Sequence, residues 1–209
     1  MDLVVDPRSG RITEKYGKHW YYLLRSGFTE DELEALPVIN KKIYPVTYVN
    51  QLDLNTYRPG RGGVVLYTVY KGNLMFGLGL DAKYNELTDF GGGIQYGYDK
   101  NAINGALREF CEETLDLYCL RNADDIQNAV VLKDPTNFII FVYTDENPDD
   151  ITMAFQKAYQ ESKNKKKEIK DIVWVTEKEL KSALKLNMTY IYSRLRNFLS
   201  KFGDFYRYL

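Results

Sequence analysis

The chain has 209 residues, 44% of them hydrophobic, which is enough for one sizeable core or for one domain with a small appendage. A formal net charge of −1 excludes a global field drawing it to nucleic acid or to a membrane surface, so an anionic ligand must be held by local basic groups or by metal. The single histidine, His19, argues against a His-ligated metal centre and a Ser-His-Asp triad, and no stretch has the apolar length of a membrane span or of a signal-peptide core.

In chain order, the segment up to Tyr57 reads as largely irregular. Turn chemistry stands at Asp6-Pro7 and Ser9-Gly10. KHWYYLLRSGF predicts a short helix ending near Gly27, and Thr29 with Glu32 forms a capping box for a second helix stopped before Pro37. IYPVTYV is strand-like, and RPGRGG is a break. VVLYTVY and LMFGLGL, separated by Lys71-Gly72-Asn73, predict a hairpin. A triple glycine, Gly91-Gly92-Gly93, precedes a helix expected over 101–117 with apolar residues at Ala102, Ala106, Phe110 and Leu117. AVVLKD and NFIIFVYT are strand candidates, DDITMAFQKAYQ a helix and IVWVT a strand. Thr176 with Glu179 caps a final long helix running toward Leu199. This mixture predicts an α/β or α+β sandwich. Cys111 and Cys119 have neither CxxC nor zinc-like spacing and read as reduced cysteines of an intracellular, cytoplasmic protein.

On the 101–117 helix, Glu109, Glu112 and Glu113 follow i, i+3 and i+4 and share one face. Such a face can be ordinary solvated surface. Three adjacent anions nevertheless repel, so a counterion is expected; Arg108 and Arg121 lie nearby in sequence, and a divalent cation neutralises the group best. Hard oxygen ligands select Mg²⁺ or Mn²⁺, which would complete their shell with water and substrate phosphate. That chemistry suits attack of water on a pyrophosphate. The glycine run lets backbone approach the metal and offers a carbonyl ligand.

Gly91-Gly92-Gly93-Ile94-Gln95-Tyr96-Gly97, followed by Ala106-Leu107-Arg108-Glu109-Phe110-Cys111-Glu112-Glu113-Thr114, resembles the box of the Nudix hydrolases, with REFCEE as its specific half. The likeness extends in outline over residues 60–200, where EIKDIVWVTEKEL is similar to the segment that closes such domains. It implies an α+β fold, a mixed sheet packed between helices in an α/β/α sandwich, over residues 58–209, with 1–57 as an extension or small adaptor-like segment. It implies Glu109, Glu112 and Glu113 as metal ligands, Gly92 as a carbonyl ligand and Arg108 as the arginine that orients the acidic residues. The chain departs from the pattern in three respects. Tyr98 replaces the first Glu, nine residues (99–107) rather than seven separate it from Arg108, and Leu115-Asp116 replace the closing Gly-apolar pair. The general base would come from a later loop, where Glu161 and Glu168 flank a lysine-rich stretch, or from Glu113 itself.

Lys163, Lys165, Lys166, Lys167 and Lys170 could hold substrate phosphates or an RNA backbone, or form a solvated loop. Arg58 and Arg61 could reach a phosphate or be linker charges. Arg194, Arg196, Lys201 and Arg207 interleave with aromatic residues that helix packing explains more cheaply than base stacking. The stretch from Asp6-Pro7-Arg8-Ser9-Gly10-Arg11-Ile12 to Gly27-Phe28 is similar to a short module of large cytoplasmic DNA viruses. That resemblance implies a host-cytoplasmic mRNA-decapping enzyme acting on capped RNA and releasing m7GDP. Hydrolysis of ADP-ribose, dinucleoside polyphosphates, NTPs or diphosphoinositol polyphosphates is the alternative within the same chemistry. A non-catalytic nucleotide- or RNA-binding module, or an interaction protein recruiting through its N-terminal segment, is the alternative of another class.

Overall fold

The first forty residues fold on themselves. In the computed structural model, which describes all residues except 1, 11, 17, 42–43, 121–125, 164–166 and 187, strands β1 (Asp2–Val5), β2 (Ile12–Glu14) and β3 (Val38–Lys41) form an antiparallel sheet in the order β2-β1-β3. The sequence of this segment reads as largely irregular, with no strand signal at β1 or β3. The central strand finds one of its partners far along the chain, a pairing that local periodicity cannot reveal. The β1–β2 turn is fixed by Asp6, whose carboxylate accepts hydrogen bonds from Arg8 N (2.8 Å) and the Ser9 hydroxyl and meets His19 Nε2 at 2.7 Å. Helices α1 (Lys18–Arg25) and α2 (Glu30–Glu34) follow as expected. α1 stops at left-handed Gly27, and α2 starts at the reciprocal Thr29–Glu32 capping box. Val4, Trp20, Leu23 and Leu33 make a small core of their own.

The main sheet begins with β4 (Val46–Tyr48), and just before it Tyr44 bridges to Phe202. Val49 and Leu52 already belong to the main core. The expected hairpin forms between β5 (Arg61–Tyr70) and β6 (Asn73–Asp81), turning on Lys71 and Gly72, both at positive φ. β5 thus starts inside the expected break. β7 (Leu87–Thr88) pairs with β6, and β8 (Phe90–Gly93) pairs with the start of β5. α3 (Tyr96–Asp99) and α4 (Ala102–Glu113) precede β9 (Val130–Lys133) and β10 (Asn137–Tyr143). α5 (Pro148–Glu161), β11 (Ile169–Thr176), α6 (Glu177–Lys185) and α7 (Ser193–Leu199) complete the regular elements, followed by a 3-10 turn over Phe205–Tyr208.

The sheet runs β11-β6-β5-β10-β9-β4, with β5 and β10 parallel and the other pairs antiparallel. Alternation along each strand feeds two cores. Val64, Leu66, Ile140 and Val142 pack beneath α4 and α5, while Val65, Ile139 and Phe141 pack beneath α6, α7 and the C-terminal turn. The α+β sandwich expected from the sequence is therefore the architecture found. The single long C-terminal helix is not. Backbone at 190–192 breaks away to bond β7, with Leu87 N donating to Tyr190 O (2.8 Å) and Tyr192 N to Leu87 O (2.8 Å), and this separates α6 from α7. Among the described residues no helix is long and apolar enough to cross a membrane.

Candidate functional site

α4 carries the acidic face. Asn101 starts it by accepting a hydrogen bond from Asn104 N (2.9 Å), and Ala102, Ile103, Ala106 and Phe110 bury its opposite face in the core. The helix ends at Thr114, earlier than the periodicity suggested, because Leu115 (φ 56°) and Asp116 (φ 63°) both turn left-handed. The resemblance expects glycine at position 115. The chain instead keeps the glycine-like conformation and bears it on a leucine. That reversal brings Cys119 back to Cys111, and the two form a disulfide with Cα atoms 4.5 Å apart, where the sequence had suggested reduced cysteines.

The glycine run lies against this helix for steric reasons. β8 pairs with β5 in the register Gly91↔Gly63 and Gly92↔Gly62. A Cβ on Gly91 would stand 2.4 Å from Gly62 O, and one on Gly92 would stand 2.4 Å from the Glu109 carboxylate. Only glycine lets β8 backbone come this close to Glu109.

Arg108 organises the carboxylates. Its Nε and Nη2 hold Asp99 bidentately (2.8 and 3.1 Å), Nη1 reaches Glu109 (2.8 Å) and Glu112 (3.4 Å), and Nη2 also donates to Gly93 O (3.1 Å). The bond to Asp99 is the main reason that the guanidinium is held above its usual pKa, and it holds the Asp99 carboxyl below the usual range. Asp99 was missed on sequence. Tyr98 occupies the position of the expected acid and is 74% exposed, while the next residue, on a short helix that the extra spacing creates, supplies the buried carboxylate. A carboxylate one position out of register was the available signal.

Glu113 has a different environment. Its carboxylate accepts the Gly91 N–H at 2.6 Å and has no ion pair among the described residues. Burial pushes its carboxyl well above the usual range, and neighbouring Asp89 adds to the shift. Arg61 is not a linker charge. It lies nearly buried, donating to Asp89 (2.6 Å) and to Gly91 O (2.8 Å). Burial opposes the charge of Asp89, but Arg61, followed by Arg194 at 3.8 Å, outweighs it and keeps the carboxyl below its ordinary range.

Glu161 and Glu168, distant in sequence from α4, line one cavity of about 680 Å³ with Glu109, Glu112 and Glu113. Lys167 lines it too, although its ammonium bonds Tyr159 O and sits 4.3 Å over the Tyr159 ring. Lys163 is exposed, and Lys165, Lys166 and Arg121 lie outside the described residues. Arg58 packs over Tyr96 (4.8 Å) and reaches Lys100 O, so it braces α3 and does not line the cavity. Among the described residues, only Cys111, Asp116 and Cys119 bring three ligand atoms of metal-binding type within 4.8 Å, and the disulfide removes the thiolates that a metal would need. The three glutamates stand further apart, Glu109 turned to Arg108 and Glu113 to Gly91.

No family model and no curated protein matches the sequence. Solved structures that overlap it include an Ap4A hydrolase of C. elegans in a binary complex, 17% identical with a TM-score of 0.41, covering 71% of this chain and 98% of that one. The same organism's Ap4A hydrolase in a second structure gives 19% and 0.39, covering 70% and 96%. The Nudix domain of Shewanella oneidensis NrtR in complex with ADP-ribose gives 13% and 0.39, covering 71% and 90%. Overlaps this loose leave the chemistry to be argued from the side chains themselves.

Proposed function

We propose that the chain is a Nudix-type hydrolase that uses Mg²⁺ or Mn²⁺ to cleave a phosphoanhydride bond in a nucleoside diphosphate linked to a second moiety. The observation that carries this reading is Glu113, a buried carboxyl beside Asp89 and Glu109 with no cation of its own among the described residues. Glu109 and Glu112 share a single arginine. Oxygen donors on one helix face against glycine backbone, one of them a buried carboxyl that a nearby cation would hold ionised, fit a hard divalent cation that retains water and substrate oxygens in its shell. Glu109, Glu112 and Glu113 would hold it, with the backbone of Gly92 beside them.

When bound, the cation would neutralise the phosphate oxygens and make a coordinated water more acidic. Arg108, locked by Asp99, holds Glu109 and Glu112 by ion pairs. Glu168 is the better placed general base, because it lines the carboxylate cavity and also the smaller one holding Asp89 and Arg194, while Glu161 lines only the first. Lys167 on the same wall would meet a phosphate oxygen.

Capped RNA is the leading substrate, and small nucleoside diphosphate derivatives come next. The test incubates the protein and Mg²⁺ or Mn²⁺ with capped RNA, Ap4A, ADP-ribose and NTPs. The expected outcome is metal-dependent turnover, lost in Glu112→Gln and Glu113→Gln; release of m7GDP would assign the cap. Glu168→Gln should lower kcat and remove the acid limb of its pH profile, while Glu161→Gln leaves that limb in place. Tight nucleotide binding without turnover in any metal would replace the enzyme by a binding module.

A further inference from the structure

The N-terminal sheet unit meets the main body across a cavity of about 450 Å³. Lys15, Tyr16 and Tyr21 line it from one side, and Tyr192, Arg194 and Asn197 from the other. Asn197 Nδ2 donates to the Tyr21 hydroxyl at 3.4 Å across the gap. The cavity's wall residues Asp89, Tyr192 and Arg194 also line a smaller cavity of about 140 Å³, together with Gly91, Glu113 and Glu168. Glu113 and Glu168 in turn line the carboxylate cavity. The three spaces share walls in sequence, from the acidic helix to the N-terminal unit.

The chemistry changes from one cavity to the next. Carboxylates dominate one end, where metal and phosphates would sit. Arg194 stands midway, 43% exposed, with its guanidinium 5.0 Å over the Tyr192 ring. At the far end aromatic rings and the partly neutralised ammonium of Lys15, paired with Glu34 at 2.7 Å, enclose a space of the size that small-molecule ligands fill. Rings that offer faces and hydroxyls, beyond a cation that reaches a phosphate, match a nucleoside 5′-phosphate. The geometry points to this cavity as the site for the nucleoside half of the substrate, with the N-terminal unit serving as its specificity wall through Tyr16 and Tyr21. This assignment rests on the hydrolase reading for the identity of the ligand.

Equilibrium binding of ADP, GDP and m7GDP to the full chain in EDTA tests it. The wild type and Glu112→Gln should bind at least one of them. Tyr21→Ala and Arg194→Gln should each weaken binding by about tenfold or more, while Met153→Ala on the far helix α5 leaves it unchanged. Tyr21 is 46% exposed, so its loss is compatible with folding, and an unchanged unfolding temperature verifies that. The assignment is overturned if both variants bind as the wild type does, or if pyrophosphate competes as well as ADP, since nothing would then read the base. Binding in EDTA requires no turnover. A chain that binds through Tyr21 and never hydrolyses sinks the enzyme reading alone; one that hydrolyses and ignores Tyr21 sinks this assignment alone.

Discussion

Arg108 and Arg61 each grip a buried aspartate and a carbonyl of β8, yet only Arg108 goes on to pair with the adjoining glutamates. Arg108 holds Asp99 and Gly93 O and still reaches Glu109 and Glu112. Arg61 holds Asp89 and Gly91 O and makes no ion pair with Glu113, whose carboxyl is pushed toward its protonated form by burial and by neighbouring Asp89. One arginine gathers three carboxylates, and the other anchors the strand beside a buried carboxyl with which it forms no ion pair. The difference also separates stability from activity.

The largest expected effect breaks the Arg61 side. Asp89 lies beneath β5, so closely that a Cβ on Gly63 would stand 2.0 Å from its Oδ2, and after Arg61→Ala it is left with the longer contact to Arg194 at 3.8 Å. Removing one partner of a buried pair costs about 3–5 kcal/mol, read as a lower denaturation midpoint with an unchanged slope. Arg108→Ala should cost less, about 1–3 kcal/mol for lost charged hydrogen bonds, because Asp99 sits on the short surface helix α3 and water can replace the guanidinium. Its effect on metal affinity or turnover should be the larger, about 10–100-fold, since Arg108 orients Glu109 and Glu112. Equal stability losses at the two sites would dissolve the contrast.

Next in size is the response to metal. A cation seated at Glu113 should raise stability by about 2.7 kcal/mol at a hundredfold excess over its Kd, seen as a higher Tm with Mg²⁺ or Mn²⁺. Glu113→Gln should abolish that rise. A variant that still gains full stabilisation would place the cation elsewhere.

A smaller effect is the pH dependence in EDTA. A carboxyl whose folded pKa exceeds its ordinary 4.5 favours folding while protonated, so the Glu113 contribution is full below that pH and is lost as pH rises through the folded value. Asp89 and Asp99 act in reverse: their contribution is present above their ordinary 3.8 and is lost as pH falls through their lowered values. Tm should therefore fall on both sides, and Glu113→Gln should flatten only the alkaline decline.

What could be read from the sequence follows the range of the interactions. REFCEE lies on one helix, so spacing alone put Glu109, Glu112 and Glu113 on one face, and the Thr29 and Thr176 capping boxes and the Lys71-Gly72 turn were equally local. Asp89 needed the pairing of β8 with β5 before its contact with Arg61 could exist. The cavity wall of Tyr21 and Asn197 joins residues far apart in sequence, and the break between α6 and α7 depends on a bridge to Leu87. Contacts of that kind leave no trace in helix or strand periodicity.

The smallest effect concerns the end of α4, where Leu115 adopts φ 56° and packs partly against the core. Shortening this side chain loses part of its burial, about 1 kcal/mol for a half-buried leucine, whichever small residue replaces it. The replacements then diverge. Alanine keeps a Cβ in the left-handed region and retains a strain of about 1–2 kcal/mol, while glycine relieves that strain and gives back only about 0.5–1 kcal/mol through the freer unfolded chain. Leu115→Gly should therefore be more stable than Leu115→Ala by roughly 0.5–1 kcal/mol, the reverse of the order for a helix interior, where glycine is the worse residue. Chemical denaturation of the two variants measures the order directly. If alanine proves the more stable, Leu115 continues the helix, and the reversal that carries Cys119 back to Cys111 is not set by this residue.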